Sequence, residues 1–319
     1  MTPDDVARAT RALGHRLHRT PMLSSRALGE AFGGTAYLKA ELFQRTGSFK
    51  PRGLLARLAG LSPEARAKGV VTVSAGNAAA ALAYGAALEG VDCLVCMWQG
   101  ASPLKVEATR DYGATVDLEA ANPEEAFARV NEVAEATGRT FVHPFDDADV
   151  IAGHGSLGYE LAEDRPDVDV VVVPVGGGGL ISGVALAVKD ARPDARIVAV
   201  EPEGSAALHA ALFAGRPVRI VPTSIADGLN APFAGRRCLA VCRTLVDESI
   251  TVTEAEIAEG FRFLYRRAKL AAEPAAAAGI GALLAGKIPD LEGRTVVSVV
   301  SGGNVSARIA SDILAPDED

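Results

Sequence analysis

Residues 168 to 175 read Val-Asp-Val-Val-Val-Val-Pro-Val, and four glycines follow, Gly176 to Gly179. An almost wholly β-branched run suits a strand buried on both faces, as in a parallel sheet covered by helices on either side. The next segment, Leu180 to Ala191, has helical character. The same order of strand, polar or glycine turn and helix recurs upstream. Gly69 to Val73 is a buried strand that enters Ser74-Ala75-Gly76-Asn77 and then an alanine-rich helix ending near Glu89. Val91 to Met97, Ala114 to Leu118 and Thr140 to His143 are further strands, separated by helices over 103–112 and 123–137. This βαβαβαβ series predicts a parallel sheet with helical crossovers.

A second series begins after Pro144-Phe145-Asp146-Asp147. It has a helix over 150–163, the Val168–Val175 strand and its helix, and a strand over 196–200 that ends at Glu201-Pro202. Helices over 254–268 and 275–285 follow, then a last strand over 295–300 that ends in Ser301-Gly302-Gly303-Asn304, and a short helix. Residues 203–250 are less regular and contain Ala226-Asp227-Gly228. Before the first series, 4–17 is helical, 21–23 extended, 36–42 a strand, and 54–61 has helical spacing. The expected fold is α/β, with two domains that each hold a central, mostly parallel sheet flanked by helices. A hinge near residue 144 gives 1–68 and 144–319 to a large domain and 69–143 to a small one. The chain then crosses between domains more than once.

With 319 residues, 49% of them hydrophobic, the chain can bury a sizeable core. Its formal net charge is −8 and its basic residues come at most in pairs, which argues against a nucleic-acid groove or binding to an anionic membrane. Residues 1–20 lack the apolar centre of a signal peptide, and no window reaches membrane-spanning length. The cytoplasm is the expected compartment. Cys93 and Cys96 fall on opposite faces of one strand, and Cys238 and Cys242 lie one helical turn apart. Pairs inside regular elements read as buried free thiols rather than zinc ligands. His143 and His154 read as satisfied structural histidines, and Trp98 as core.

Open parallel sheets bind ligands at the carboxyl ends of their strands. Gly176 to Gly179 opens a helix there, so bare N–H groups and the helix dipole make an anion site suited to phosphate. A dinucleotide fold with Glu201 as its ribose acid is the rival reading. Its spacing fails, because the third glycine would fall at Ile181 or Ser182. Lys50 stands in Gln44-Arg45-Thr46-Gly47-Ser48-Phe49-Lys50-Pro51-Arg52-Gly53, a turn leading into a helix, where a lysine can point into a cleft. A phosphate cup with a cleft lysine suggests an aldehyde cofactor that is bound covalently at one end and by its phosphate at the other. That cofactor is pyridoxal 5'-phosphate.

With these turns in hand, the sequence resembles the fold-type-II pyridoxal-phosphate enzymes, in the serine/threonine dehydratase and serine racemase branch. The likeness covers nearly the whole chain. It rests on Thr46-Gly47-Ser48-Phe49-Lys50, Ser74-Ala75-Gly76-Asn77, Gly176 to Gly179, Ala226-Asp227-Gly228, Glu273-Pro274 and Ser301-Gly302-Gly303-Asn304. The resemblance implies a tryptophan synthase β-like fold, and a lyase that converts a 3-hydroxy amino acid to a 2-oxo acid and ammonia. It implies that Lys50 carries the cofactor and that Phe49 and Gly228 sandwich its ring. Asn77 meets the ring hydroxyl, Gly176, Gly177, Gly178 and Gly179 hold the phosphate, and Ser301 faces the ring nitrogen. Glu273 lies near the cofactor. Ser74 and the backbone of Ala75, Gly76 and Asn77 receive the substrate carboxylate, with Ala78 on the substrate wall. A homodimer is implied as well.

The pattern departs at three places. Racemases of this branch carry a serine where Ala75 stands, and alanine cannot move a proton, so elimination with little racemisation is expected. A histidine is usual where Ala78 stands. Its loss either makes room for a substrate larger than threonine or is compensated by a neighbour. Relatives that bind a divalent cation use a glutamate, a backbone carbonyl and a second acid. Glu201 and Ser205 match the first two, but Ala207 stands at the third, so no metal is expected. The competing functions are a racemase, a β-replacement synthase and a degenerate metabolite-binding sensor.

Overall fold

The computed structural model describes residues 1–315. Its ten strands are β1 (Met22–Ser24), β2 (Thr35–Ala40), β3 (Val70–Val73), β4 (Cys93–Trp98), β5 (Thr115–Ala120), β6 (Thr140–Phe141), β7 (Val170–Pro174), β8 (Arg196–Pro202), β9 (Glu248–Val252) and β10 (Thr295–Val300). They form two sheets, one of six strands in the order β1-β2-β10-β7-β8-β9 and one of four in the order β5-β4-β3-β6. Every pairing is parallel except that of β1 with β2. The α/β class with parallel sheets read from the sequence is the architecture found.

β7 shows why its valines specify a central strand. Val170 and Val172 pack into one core with Ala275 to Ala278 and Ile280, while Val171 and Val173 pack into another with Leu157, Ile181 and Val184. Alternate residues thus meet helices on both faces. The alanine-rich helix Pro274–Leu284 is almost wholly buried because its small side chains let the helix Glu254–Phe263 approach closely. A Cβ at Gly281 would stand 2.3 Å from the carbonyl oxygen of Glu256. The second sheet has its own core. Leu54 and Leu58, from the helix Lys50–Ala59, join it beside Leu82 and Val95.

Residues 203–250 are more regular than expected. They hold the helices Ala207–Ala214 and Arg236–Leu245 and enter β9. The second helix buries only Cys238, Leu239 and Cys242 and turns its arginines outward. β9 is a partly exposed edge strand. The helices Arg26–Phe32 and Pro63–Lys68 were also not foreseen. All four cysteines are free and buried, with Cys93 and Cys96 in cores on opposite sides of the second sheet. Among the described residues no helix is long and apolar enough to cross a membrane.

Candidate active site

The turn before Lys50 is stitched to the loop after β10. The Phe49 N–H donates to the Ser301 carbonyl at 3.0 Å, and the Gly303 N–H to the Gly47 carbonyl at 2.9 Å. Ser48 and Gly302 form an antiparallel bridge. Thr46 takes a left-handed conformation, φ 58°, at the start of this turn. Pro51 then falls in the first turn of the helix, where no N–H is needed. This arrangement directs the Lys50 side chain into a cleft between the two sheets. Its Nζ donates to the Pro144 carbonyl at 3.0 Å and lies 5.0 Å from the Phe49 ring centre.

Burial pulls the Lys50 amine down to about 8, against weaker opposing pulls from Cys238 and Glu273. The neutral amine, the nucleophilic form, is therefore far more available near neutrality than on a surface lysine. Capture of an aldehyde by the apoprotein is expected to speed up about tenfold per pH unit below 8 and to level off above it. Stopped-flow absorbance checks this, and a rate still rising above pH 10 would contradict it.

Phe49 is braced from behind by His154, with ring centres 4.7 Å apart edge to face. His154 is fully buried, and burial holds it well below the usual imidazole range. His143 is held near 4 by burial, and its Nδ1 accepts from the N–H groups of Phe145 and Asp146. His143 is thus satisfied as expected, but His154 is not: among the described residues neither of its buried ring nitrogens has a hydrogen-bond partner, so it is held by packing alone.

Gly176 to Gly179 link β7 to the helix Gly179–Ala191. Phe145, in the segment after β6, packs against them. A Cβ at Gly177 would stand 2.3 Å from the Phe145 ring, and Gly178 has φ 92°. The Gly177 carbonyl accepts from the Gly235 N–H, and the Gly178 carbonyl from Ser182. These two carbonyls are thus turned into the protein. The first-turn N–H groups of the helix have no carbonyl a turn earlier, so they are available to an anion.

Opposite stands the loop after β3. The Ser74 hydroxyl accepts from the Gly76 N–H at 3.1 Å, which shapes the turn into the helix Asn77–Glu89. Asn77 Nδ2 lies 2.9 and 3.1 Å from the two carboxylate oxygens of Glu273. Burial pushes Glu273 up to about 7 while the Asn77 hydrogen bond pulls it down. Phe49, Lys50, Ser74 to Ala78, Gly176 to Gly179, Gly228, Glu273 and Ser301 all line one cavity of 970 Å³.

Glu201 and Ser205 are not part of this lining. The Glu201 oxygens accept from the N–H groups of Leu208 and His209 at 2.8 and 2.7 Å, capping the helix Ala207–Ala214. Burial pushes this carboxyl up to about 8. Ser205 donates to Asn230 Oδ1. Among the described residues no group of three His, Cys, Asp or Glu could hold a metal ion. Several residues of the cleft mouth were missed in the sequence. Lys105 pairs with Asp227, and Arg219 with Glu124 at 2.9 Å, joining the two sheet units across the opening. Phe127 and Phe145 add an apolar wall. No spacing signal marks these contacts, because each joins segments about a hundred residues apart.

A lysine amine, a glycine-lined anion cradle and a buried serine around one cleft, between parallel sheets, define a site for a phosphorylated aldehyde cofactor. The description "Pyridoxal-phosphate dependent enzyme" matches residues 15–302, and the chain belongs to that family. It is 42% identical to the L-threonine ammonia-lyase of Thermotoga maritima, over 98% of this chain and 78% of that one. It is 40% identical to the catabolic L-threonine dehydratase of Escherichia coli strain K12, over 97% and 95% of the two chains. The structure of maize serine racemase superposes with a TM-score of 0.92 at 36% identity, covering 96% of this chain and 94% of that one.

Proposed function

We propose that the chain is a dehydratase of 3-hydroxy amino acids, threonine and serine first, that releases a 2-oxo acid and ammonia. The observation that carries this is the convergence of Lys50, the glycine cradle and Ser301 on one cavity, in a chain closely similar to L-threonine ammonia-lyases. The residues present fit pyridoxal phosphate: an amine of lowered pKa for the aldehyde, N–H donors for the phosphate and a hydroxyl for the ring nitrogen. When bound, the cofactor supplies an electron sink that makes the substrate α-proton acidic and assists departure of the β-hydroxyl.

Each residue then has a task. Lys50 holds the aldehyde and, when free, takes the α-proton as a base. Gly176 to Gly179 anchor the phosphate. Phe49 and Gly228 cover the two ring faces, and Asn77 meets the ring oxygen. Ser74, with the backbone of Ala75, Gly76 and Asn77, receives the substrate carboxylate, and Ala78 forms part of the substrate wall. Ser301 contacts the ring nitrogen with a hydroxyl, which cannot keep that nitrogen protonated as an aspartate would. A weaker sink favours prompt loss of the β-substituent over transamination.

The similarity to a serine racemase raises racemisation as a second activity. Ala75 lines the cavity and carries no group able to deliver a proton to the opposite face. Substituting Ala75→Ser is expected to raise racemisation of serine at least about tenfold, as a positioned general acid does. Chiral chromatography of the product mixture measures it, and a wild type that racemises serine as fast as it eliminates would refute the assignment.

The direct test is release of 2-oxo acid from threonine, serine, 3-hydroxyaspartate and 3-phenylserine. Threonine or a larger analogue is expected to turn over best, given the small Ala78 wall; a clear preference for serine would reject the enlarged pocket. No release from any of the four would reject the dehydratase reading. Because the Glu201 oxygens already cap a helix, we propose that no divalent cation is required. Equal rates with and without a chelator are expected, and loss restored by Mg²⁺ would contradict this.

A further inference from the structure

The polarity of the Asn77 amide is fixed by a chain of hydrogen bonds that starts at a backbone carbonyl. Asn304 Nδ2 lies 2.8 Å from the Thr46 carbonyl oxygen. A carbonyl only accepts, so the Asn304 atom there is its NH₂. The same NH₂ lies 2.8 Å from Asn77, which must answer with its oxygen, Oδ1. The Asn77 NH₂ is then left facing Glu273, with both carboxylate oxygens within 3.1 Å. Glu273 is itself fixed, since its N–H donates to the Gly302 carbonyl at 3.0 Å. Four separate segments thus agree on one orientation.

We propose that Glu273, together with Asn304, is a positioning residue that locks the Asn77 amide, taking one of its two N–H bonds and leaving the other to the cavity, so that the Asn77 nitrogen can offer a ligand only a donor. The inference rests on the reading of the cleft as a pyridoxal-phosphate site. Its consequence concerns the cofactor's ring oxygen. A donor-only partner favours that oxygen as an acceptor, the deprotonated form, and disfavours it as a neutral hydroxyl that would have to donate. The charge on Glu273 strengthens the lock, because a charge-assisted hydrogen bond outweighs a neutral one.

The groups facing Glu273 come from every side of the cleft. Asn77 stands on its helix, Asp227 and its partner Lys105 on the two lips, Lys50 at its own helix start, and the backbone of Asn304 in the loop after β10. Burial brings Glu273 to about 7, so its charge is lost as the pH falls through neutrality. The lock therefore loosens on the acid side.

The test compares wild type and Glu273→Gln, each loaded with pyridoxal phosphate, by absorption spectrum against pH and by cofactor retention in equilibrium dialysis. The substitution keeps the shape but puts an amide where two acceptors face Asn77. The expected result is a wild-type visible band that changes form through neutral pH, and a variant whose band no longer does so. Cofactor retention in the variant should be roughly tenfold weaker. Should Glu273→Gln fail to fold, Asn304→Ala frees the Asn77 oxygen and is expected to weaken retention in the same direction. A wild-type band that does not change with pH, or a folded Glu273→Gln protein with wild-type titration and retention, would overturn the proposal alone. So would wild-type retention in Asn304→Ala. Absence of any visible band in wild type would instead overturn the cofactor reading.

Discussion

Lys50→Ala is expected to lower dehydration about 10⁴-fold or more and to abolish covalent retention of the cofactor. The substitution removes both the nucleophile that holds the aldehyde and the base that takes the α-proton. The fold should tolerate it. Nζ makes one hydrogen bond, to the Pro144 carbonyl, and the side chain reaches into an open cleft rather than a packed core. The other lysine of the cavity lining, Lys105, is held at the mouth by Asp227. Lys39 is fully buried and tied to Glu160 at 2.8 Å, Asp164 at 3.4 Å and the Thr20 carbonyl. Steady-state 2-oxo acid release and gel filtration of the loaded protein measure the two effects. Residual turnover above about 1% would mean that the base is another group.

The largest effect on stability is expected two residues further on. Arg52 is 1% exposed, and its guanidinium makes paired hydrogen bonds to Glu41, at 2.7 and 2.9 Å, and to Glu160, at 2.7 and 2.9 Å. Ser156 accepts a fifth at 3.1 Å. Burial alone would pull the guanidinium down, but the two carboxylates outweigh it and keep it charged. The cluster clamps the start of the helix that carries Lys50 against β2 and the helix Ala148–Asp164. Arg52→Met leaves Glu41, with no exposed surface, supported only by the Thr20 hydroxyl among its side-chain partners. The loss is expected to be about 3–5 kcal/mol by urea unfolding. Arg52→Lys should recover little, because a point charge cannot satisfy two bidentate partners. A loss below about 1 kcal/mol for Arg52→Met would show that the cluster is solvated in solution.

Much of this was legible in the sequence because the signals are local. The valines of β7 and the glycines after it state in twelve consecutive residues that a buried parallel strand ends at a helix start. Lys50, Asn77 and Ser301 stand in short turns at strand or helix ends, and turn chemistry is readable from neighbouring residues. What was not legible depends on approach between distant segments. Asn304 reads as a turn residue, and its part in orienting Asn77 exists only because the loop after β10 lies on the loop after β3. Glu201 reads as a remnant cation ligand, yet its carboxylate caps a helix that was itself not foreseen. That helix, the helix Arg236–Leu245 and β9 lie at the edge of the large sheet. The helix Ala207–Ala214 is apolar almost all round and β9 is only partly buried, so periodicity is weak in both, whereas Arg236–Leu245 does carry a stripe, Cys238, Leu239 and Cys242, of which only the cysteine spacing was read. The Lys105–Asp227 and Arg219–Glu124 pairs join exposed charges whose sequence positions carry no sign of their meeting.

The central claim is that one amine, at Lys50, carries the cofactor while Gly176 to Gly179 hold its phosphate. Borohydride reduction of the loaded protein, followed by proteolysis and peptide mass spectrometry, fixes and locates that attachment. The expected result is a single pyridoxyl-modified peptide containing Lys50, formed only when the cofactor carries its phosphate. Modification at another lysine, or equal labelling by unphosphorylated pyridoxal, would contradict it.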